Sequence, residues 1–113
     1  MARMAMDEVR KEVEENSVLI YMKGTKESPK CGFSAAAVQV LQSYGVPIKD
    51  VDILADPEKM QAVKQFSNWP TMPQIFLGGK FVGGCDIIKE MHAKGEIAPL
   101  LLKAGAQKAE ATK

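Results

Sequence analysis

Met6, Val9 and Val13 recur at helical spacing among Asp7, Glu8, Arg10, Lys11 and Glu12, which predicts an amphipathic first helix. The run SVLIYM (Ser17–Met22) is nearly continuous in apolar residues, as expected of a strand buried on both faces. Gly24, Ser28 and Pro29 break the pattern across Lys23–Lys30 and mark a turn. From Gly32, the stretch GFSAAAVQVLQSYG reads as a second helix, favoured by Ala35–Ala37 and stopped at Gly45. Val51 and Ile53 then alternate with Asp50 and Asp52, the pattern of a half-exposed edge strand.

Asp56 as N-cap and Pro57 at the first helical position begin a helix over DPEKMQAVKQFSN. PQIFLGGKFVGG holds two short apolar runs around Gly78-Gly79, a hairpin signal. Asp86 is expected to cap a helix reaching about Lys94 and stopped by Gly95, with a short closing helix over Glu96–Lys103. The order αβαβαββα with a closing helix predicts an α/β fold. Its centre is a mixed four-stranded sheet between helices, to which the hairpin adds antiparallel strands. One domain is expected over residues 1–104, followed by a flexible tail over 105–113, where the sequence is small and polar.

A chain of 113 residues, 46% hydrophobic, has enough apolar surface for one modest core. A formal net charge of +1 argues against a nucleic-acid or anionic-membrane surface. No apolar stretch approaches the roughly 18 residues of a spanning helix. The opening MARMAMDEVRKEVEEN lacks the apolar core of a signal peptide and turns acidic by Asp7. Two cysteines cannot staple a secreted domain, so a reducing compartment is expected.

The candidate chemistry centres on PKCGFS, residues 29–34. Cys31 falls where a loop enters a helix, and free N–H groups there favour a thiolate. Lys23 and Lys30 are expected to lower its pKa further. Ser34 stands where a C-x-x-C site has its second cysteine, so no internal thiol can resolve a mixed disulfide. A disulfide at Cys31 must be resolved by an external thiol, or Cys31 serves as a ligand. In WPTMPQ, Pro73 precedes a strand. A trans bond is the commoner form, and a cis bond would present the Met72 main chain to an extended peptide. GGCD sets two glycines against a helix start, which suits a carboxylate at the free N–H groups and an ammonium at Asp86. A hairpin exit and an N-cap would account for that stretch equally, and Cys85 needs no role beyond packing. Lys59 and Lys64 read as solvated helix residues, and His92 as a surface residue.

Taken together, YMKGT, PKCGFS, SNWPTMPQ and FVGGCD resemble the CGFS-type monothiol glutaredoxins over roughly Val13 to Leu102. The resemblance implies a thioredoxin fold with strand order 4-3-1-2 and a cis Pro73 beside Cys31. It implies a glutathione site in which Lys23 and Lys64 hold the glycine carboxylate and Met72 pairs its main chain with the tripeptide. Cys85 and Asp86 would hold the γ-glutamyl end, with Phe33 and Pro73 in the same site. It further implies a [2Fe–2S] cluster bridging two chains through Cys31 and glutathione, so the chain is a homodimer when loaded and a monomer when empty. Iron–sulfur acceptor proteins and BolA-like proteins are the implied partners, in the mitochondrial matrix of a eukaryote or the cytoplasm of a bacterium. The rival reading is a glutathione-dependent thiol–disulfide oxidoreductase with Cys31 as nucleophile. The sequence departs from the family at Met60, where an arginine is common.

Overall fold

The computed structural model describes residues 3–105. Apart from Gly105, the expected tail lies outside the described residues. Strand β1 (Val18–Met22) runs through the middle of the sheet and is buried along its whole length. Five successive apolar side chains must point to alternate faces, so both faces acquire a hydrophobic layer. Val18, Ile20 and Met22 pack with Ala37, Val38 and Leu41 of α2 (Gly32–Gln42). The same layer takes Ile88 of α4 (Cys85–Ala93), and Ile97 and Leu101 of α5 (Ile97–Lys103). Leu19 and Tyr21 face the other way, into Val9 and Val13 of α1 (Ala5–Glu15) and Ala62 and Val63 of α3 (Pro57–Ser67).

The sheet is completed by β2 (Lys49–Asp52), β3 (Gln74–Leu77) and β4 (Lys80–Gly83), in the order β2-β1-β3-β4. This is the expected order read from the opposite edge. β1 pairs parallel with β2 and antiparallel with β3, and β3 pairs antiparallel with β4. The β3–β4 turn takes φ +60° at Gly78 and +81° at Gly79, the two positive values of a tight hairpin. Asp56 caps α3 as expected, its side chain accepting from the Lys59 N–H at 3.2 Å with Pro57 next in line. No helix among the described residues is long and apolar enough to cross a membrane.

Three expectations are corrected. Ile53 leaves the edge strand: the Asp52 carboxylate caps a 3-10 turn over Ile53–Ala55, which drives Ile53 into the core. Asp86 does not cap α4; Gly84 holds the cap position in an extended conformation, and Asp86 lies exposed in the first turn. Lys59 is not solvated but only 9% exposed. Its ammonium sits 2.7 Å from Glu12 Oε2 and 3.5 Å from Glu8 Oε1. His92 is exposed as expected, but its Nδ1 is 2.7 Å from the Tyr44 hydroxyl and links α4 to the end of α2.

The Lys59 network fastens α1 to α3. Burial works against the ammonium, yet Glu12 and then Glu8 outweigh it and raise its pKa. Glu12 also accepts the Tyr21 hydroxyl at 2.8 Å, which ties the network to the central strand. Arg3 extends it outward, bonding Glu8 at 2.8 Å and Asp56 at 2.6 Å, and holds each carboxyl down to about 2. Lys59→Met keeps the apolar stem but strands the Glu12 carboxylate. It is expected to cost about 1–3 kcal/mol in urea denaturation, with Glu12→Gln in the same chain recovering part of the loss. A change below about 0.5 kcal/mol would mean that the pair adds nothing beyond packing.

Candidate functional site

Cys31 occupies the N-cap position of α2, with extended backbone (φ −152°, ψ 143°) and a half-buried side chain. Burial pushes its thiol pKa up. Against it stand the Ser34 N–H, the Ser34 hydroxyl, the Phe33 N–H and the charge of Lys23, and together they bring the pKa below the ordinary thiol value. Lys30, expected to help, is not among these causes; its main-chain N–H closes the loop by donating to the Lys23 carbonyl at 2.8 Å. Ser34 is fully buried, and its hydroxyl oxygen accepts the Lys23 N–H at 3.2 Å. The residue that replaces a second cysteine is therefore a hydrogen-bonding hub between the thiol and β1.

Beside the thiol lies a groove of about 670 Å³. Lys23 enters from the end of β1 and Lys64 from α3. Met72 and Pro73 line it, joined by a cis peptide bond. Cys85 and Asp86 enter from the first turn of α4, on the opposite face of the sheet from α3. Phe33, 64% exposed, completes the set of residues that the sequence pointed to. Cys31 itself is not part of the lining. The groove thus offers two ammonium groups, a helix N-terminus and one carboxylate within a partly apolar wall, a set that suits a small zwitterionic peptide.

Cys85 is the opposite of Cys31 in character. Burial raises its pKa; the charge of Lys89 works against that rise, and the charges of Asp86 and Cys31 add to it. Both cysteines are free thiols. Gln74 braces the wall: its side-chain N–H groups donate to the carbonyls of Trp69 (2.8 Å) and Thr71 (3.2 Å). A Cβ at Gly84 would lie 3.2 Å from the Pro73 oxygen and 3.6 Å from the Trp69 ring nitrogen, so α4 meets this wall closely. The Trp69 indole N–H is buried there without a partner among the described residues.

Sequence reasoning passed over Leu54 and Ile87, which also line the groove. Leu54 carried a visible signal, an apolar residue two positions after the acidic strand end Asp52, but nothing local says that it stays half exposed. The contrast between the thiols is testable by alkylation. Iodoacetamide at pH 7 is expected to modify Cys31 alone, and the Cys31 rate should reach its plateau at lower pH than a free cysteine, because its thiolate forms earlier. Mass spectrometry after proteolysis reads both. Equal labelling of Cys85 would contradict this.

The glutaredoxin family profile matches residues 18–82. Over 91 residues the chain is 58% identical to Monothiol glutaredoxin-S15, mitochondrial, of Arabidopsis thaliana, which covers 80% of this chain and 54% of that protein. The chain spans about half the length of this and a similar rice relative. Glutaredoxin 4 of Pasteurella multocida is 46% identical over 102 residues, 90% of this chain and 94% of that one. Among solved structures, a buckwheat glutaredoxin–glutathione complex superposes with a TM-score of 0.81 at 25% identity, covering 90% of this chain and 91% of that one. The chain belongs to the glutaredoxin family, and with a buried serine in place of the second cysteine it is one of the monothiol glutaredoxins.

Proposed function

We propose that this monothiol glutaredoxin carries a labile [2Fe–2S] cluster between two copies of itself and delivers it to acceptor proteins, with glutathione supplying the ligands that the chain lacks. The observation that carries the reading is the pairing of one readily ionised thiol, Cys31, with a groove equipped for a zwitterionic peptide. A cluster of this type takes four ligands. Among the described residues no three His, Cys, Asp or Glu side chains gather to hold a metal. Two Cys31 thiolates and two glutathione thiolates make up the four. Ligands held without covalent attachment to the chain dissociate readily, which suits a carrier.

Within each groove, Lys23 and Lys64 take the glycine carboxylate of glutathione, and the Met72 main chain pairs with the peptide. The Cys85 N–H and the Asp86 carboxylate take the γ-glutamyl end, while Phe33 and Pro73 supply apolar contact. A buckwheat glutaredoxin of the same fold was solved in complex with glutathione, which supports glutathione as the ligand. The loaded form is a homodimer and the empty form a monomer. Its partners are iron–sulfur acceptor proteins and BolA-like proteins, in the mitochondrial matrix of a eukaryote or the bacterial cytoplasm. A second reading, glutathione-dependent reduction of protein mixed disulfides, draws on the same lowered thiol pKa. Ser34 confines it to a route in which free glutathione resolves the intermediate.

Anaerobic reconstitution with iron, sulfide and glutathione, followed by absorbance, tests the carrier reading. Cys31→Ser is expected to hold no cluster and Cys85→Ser most of it, because the Cys85 contact is through the main chain. Lys64→Glu should weaken retention markedly. Met60→Arg should improve it only a few-fold, since an exposed charge contact contributes about 0–1 kcal/mol. A full cluster on Cys31→Ser refutes the ligand assignment, and silence of Lys64→Glu removes α3 from the glutathione site.

A further inference from the structure

The loop leading from β1 to Cys31 closes on itself. Gly24 and Pro29 form an isolated antiparallel bridge, and Thr25 and Ser28 exchange main-chain bonds of 3.2 and 3.0 Å. Gly24 stands at φ +89°, and a Cβ there would lie 2.5 Å from the Ser28 oxygen and 2.7 Å from the Lys30 nitrogen. Only glycine fits.

Two carboxylates of β2 fasten this closed loop to the sheet edge. Asp50 Oδ2 accepts the Lys26 N–H at 2.8 Å, while the Lys26 ammonium donates to the Ile48 carbonyl at 2.9 Å. Asp52 Oδ1 accepts two N–H groups, from Gly24 and from Leu54, each at 3.0 Å. Gly24 adjoins Lys23, and Lys23 and Leu54 both line the groove. A single oxygen atom therefore joins two groove walls that come from separate segments. On the other side of the loop, Ser34 holds the Lys23 N–H, so the main chain at Lys23–Gly24 is gripped between α2 and β2.

We propose that Asp52 is a positioning residue of the groove. It sets the spacing of Lys23 and Leu54, and with Asp50 it holds the loop before Cys31 in the shape that receives the ligand. The identity of that ligand, an anionic tripeptide, rests on the glutathione reading above. Charge alone makes the opposite forecast: a carboxylate near an anion site opposes binding, so its removal would tighten the complex. Positioning makes binding depend on the acceptor oxygen and not on the charge.

The test is calorimetric titration of glutathione into the reduced, cluster-free chain, with amide hydrogen exchange measured on the same variants. Asp52→Ala is expected to bind about five- to tenfold more weakly, with faster exchange at Gly24 and Leu54. Asp52→Asn keeps an acceptor oxygen and loses the charge, so it should bind as tightly as the parent or slightly more so. Asp50→Ala leaves the 3-10 cap intact and should weaken binding about two- to threefold, with faster exchange at Lys26. If Asp52→Ala fails to fold, Asp52→Asn and Asp50→Ala carry the same contrast. Unchanged or tighter binding by Asp52→Ala, or a loss in Asp52→Asn equal to that in Asp52→Ala, overturns the proposal. If the parent chain binds no glutathione, the glutathione reading fails by itself. Exchange then still decides the clamp: equal rates at Gly24 and Leu54 in Asp52→Ala and the parent overturn it, and faster rates sustain it.

Discussion

Burial of β1 on both faces is the constraint on which the rest of the molecule depends. Val18–Met22 are shielded by α1 and α3 on one side and by α2, α4 and α5 on the other, so the one polar side-chain group along the strand, the Tyr21 hydroxyl, has to be paired, and Glu12 accepts it. Polar chemistry begins where the strand leaves the core, at Lys23. The parallel pairing of β1 with β2 requires a crossover, and α2 is that crossover. Its first turn accordingly lies next to the strand end, and a cysteine at its N-cap is drawn to Lys23 by topology alone. The same burial explains why Ser34, one turn into α2, meets the Lys23 main chain rather than solvent.

Under the proposed carrier function, two opposed demands meet at Cys31. A ligand thiol has to ionise easily, yet a carrier does not profit from rapid disulfide chemistry. Hydrogen bonds from Ser34 and Phe33 supply the first property. The hydroxyl of Ser34 denies the second, since it offers a proton donor where a dithiol site offers an attacking thiolate. Cys85, buried and held as a thiol, does not restore it. The serine thus both tunes the thiol and excludes internal resolution.

Much of this was legible in the sequence. Element order, the Asp56 cap, the glycine hairpin and the double burial of β1 follow from local periodicity and turn chemistry, which act over a few residues. The groove was legible through motifs, because each motif ends a strand or begins a helix and those ends converge in this topology. What stayed hidden depends on partners distant in sequence. Lys59 reads as a surface residue until Glu12, far away in the chain, is brought against it by α1 packing on α3. Asp52 reads as the polar side of an edge strand until the loop after β1 folds down onto it. The Asp86 cap failed for a different reason: Gly84 reaches the extended cap conformation two residues earlier, close against Pro73.

The central claim is that one thiol per chain suffices because glutathione completes the ligand set. Native mass spectrometry of the reconstituted, anaerobically held protein tests it most directly. The account predicts a single species made of two chains, two glutathiones and one [2Fe–2S] unit, which falls to bare monomer when glutathione is removed. A cluster-bearing species without glutathione, or one held by a single chain, would contradict it.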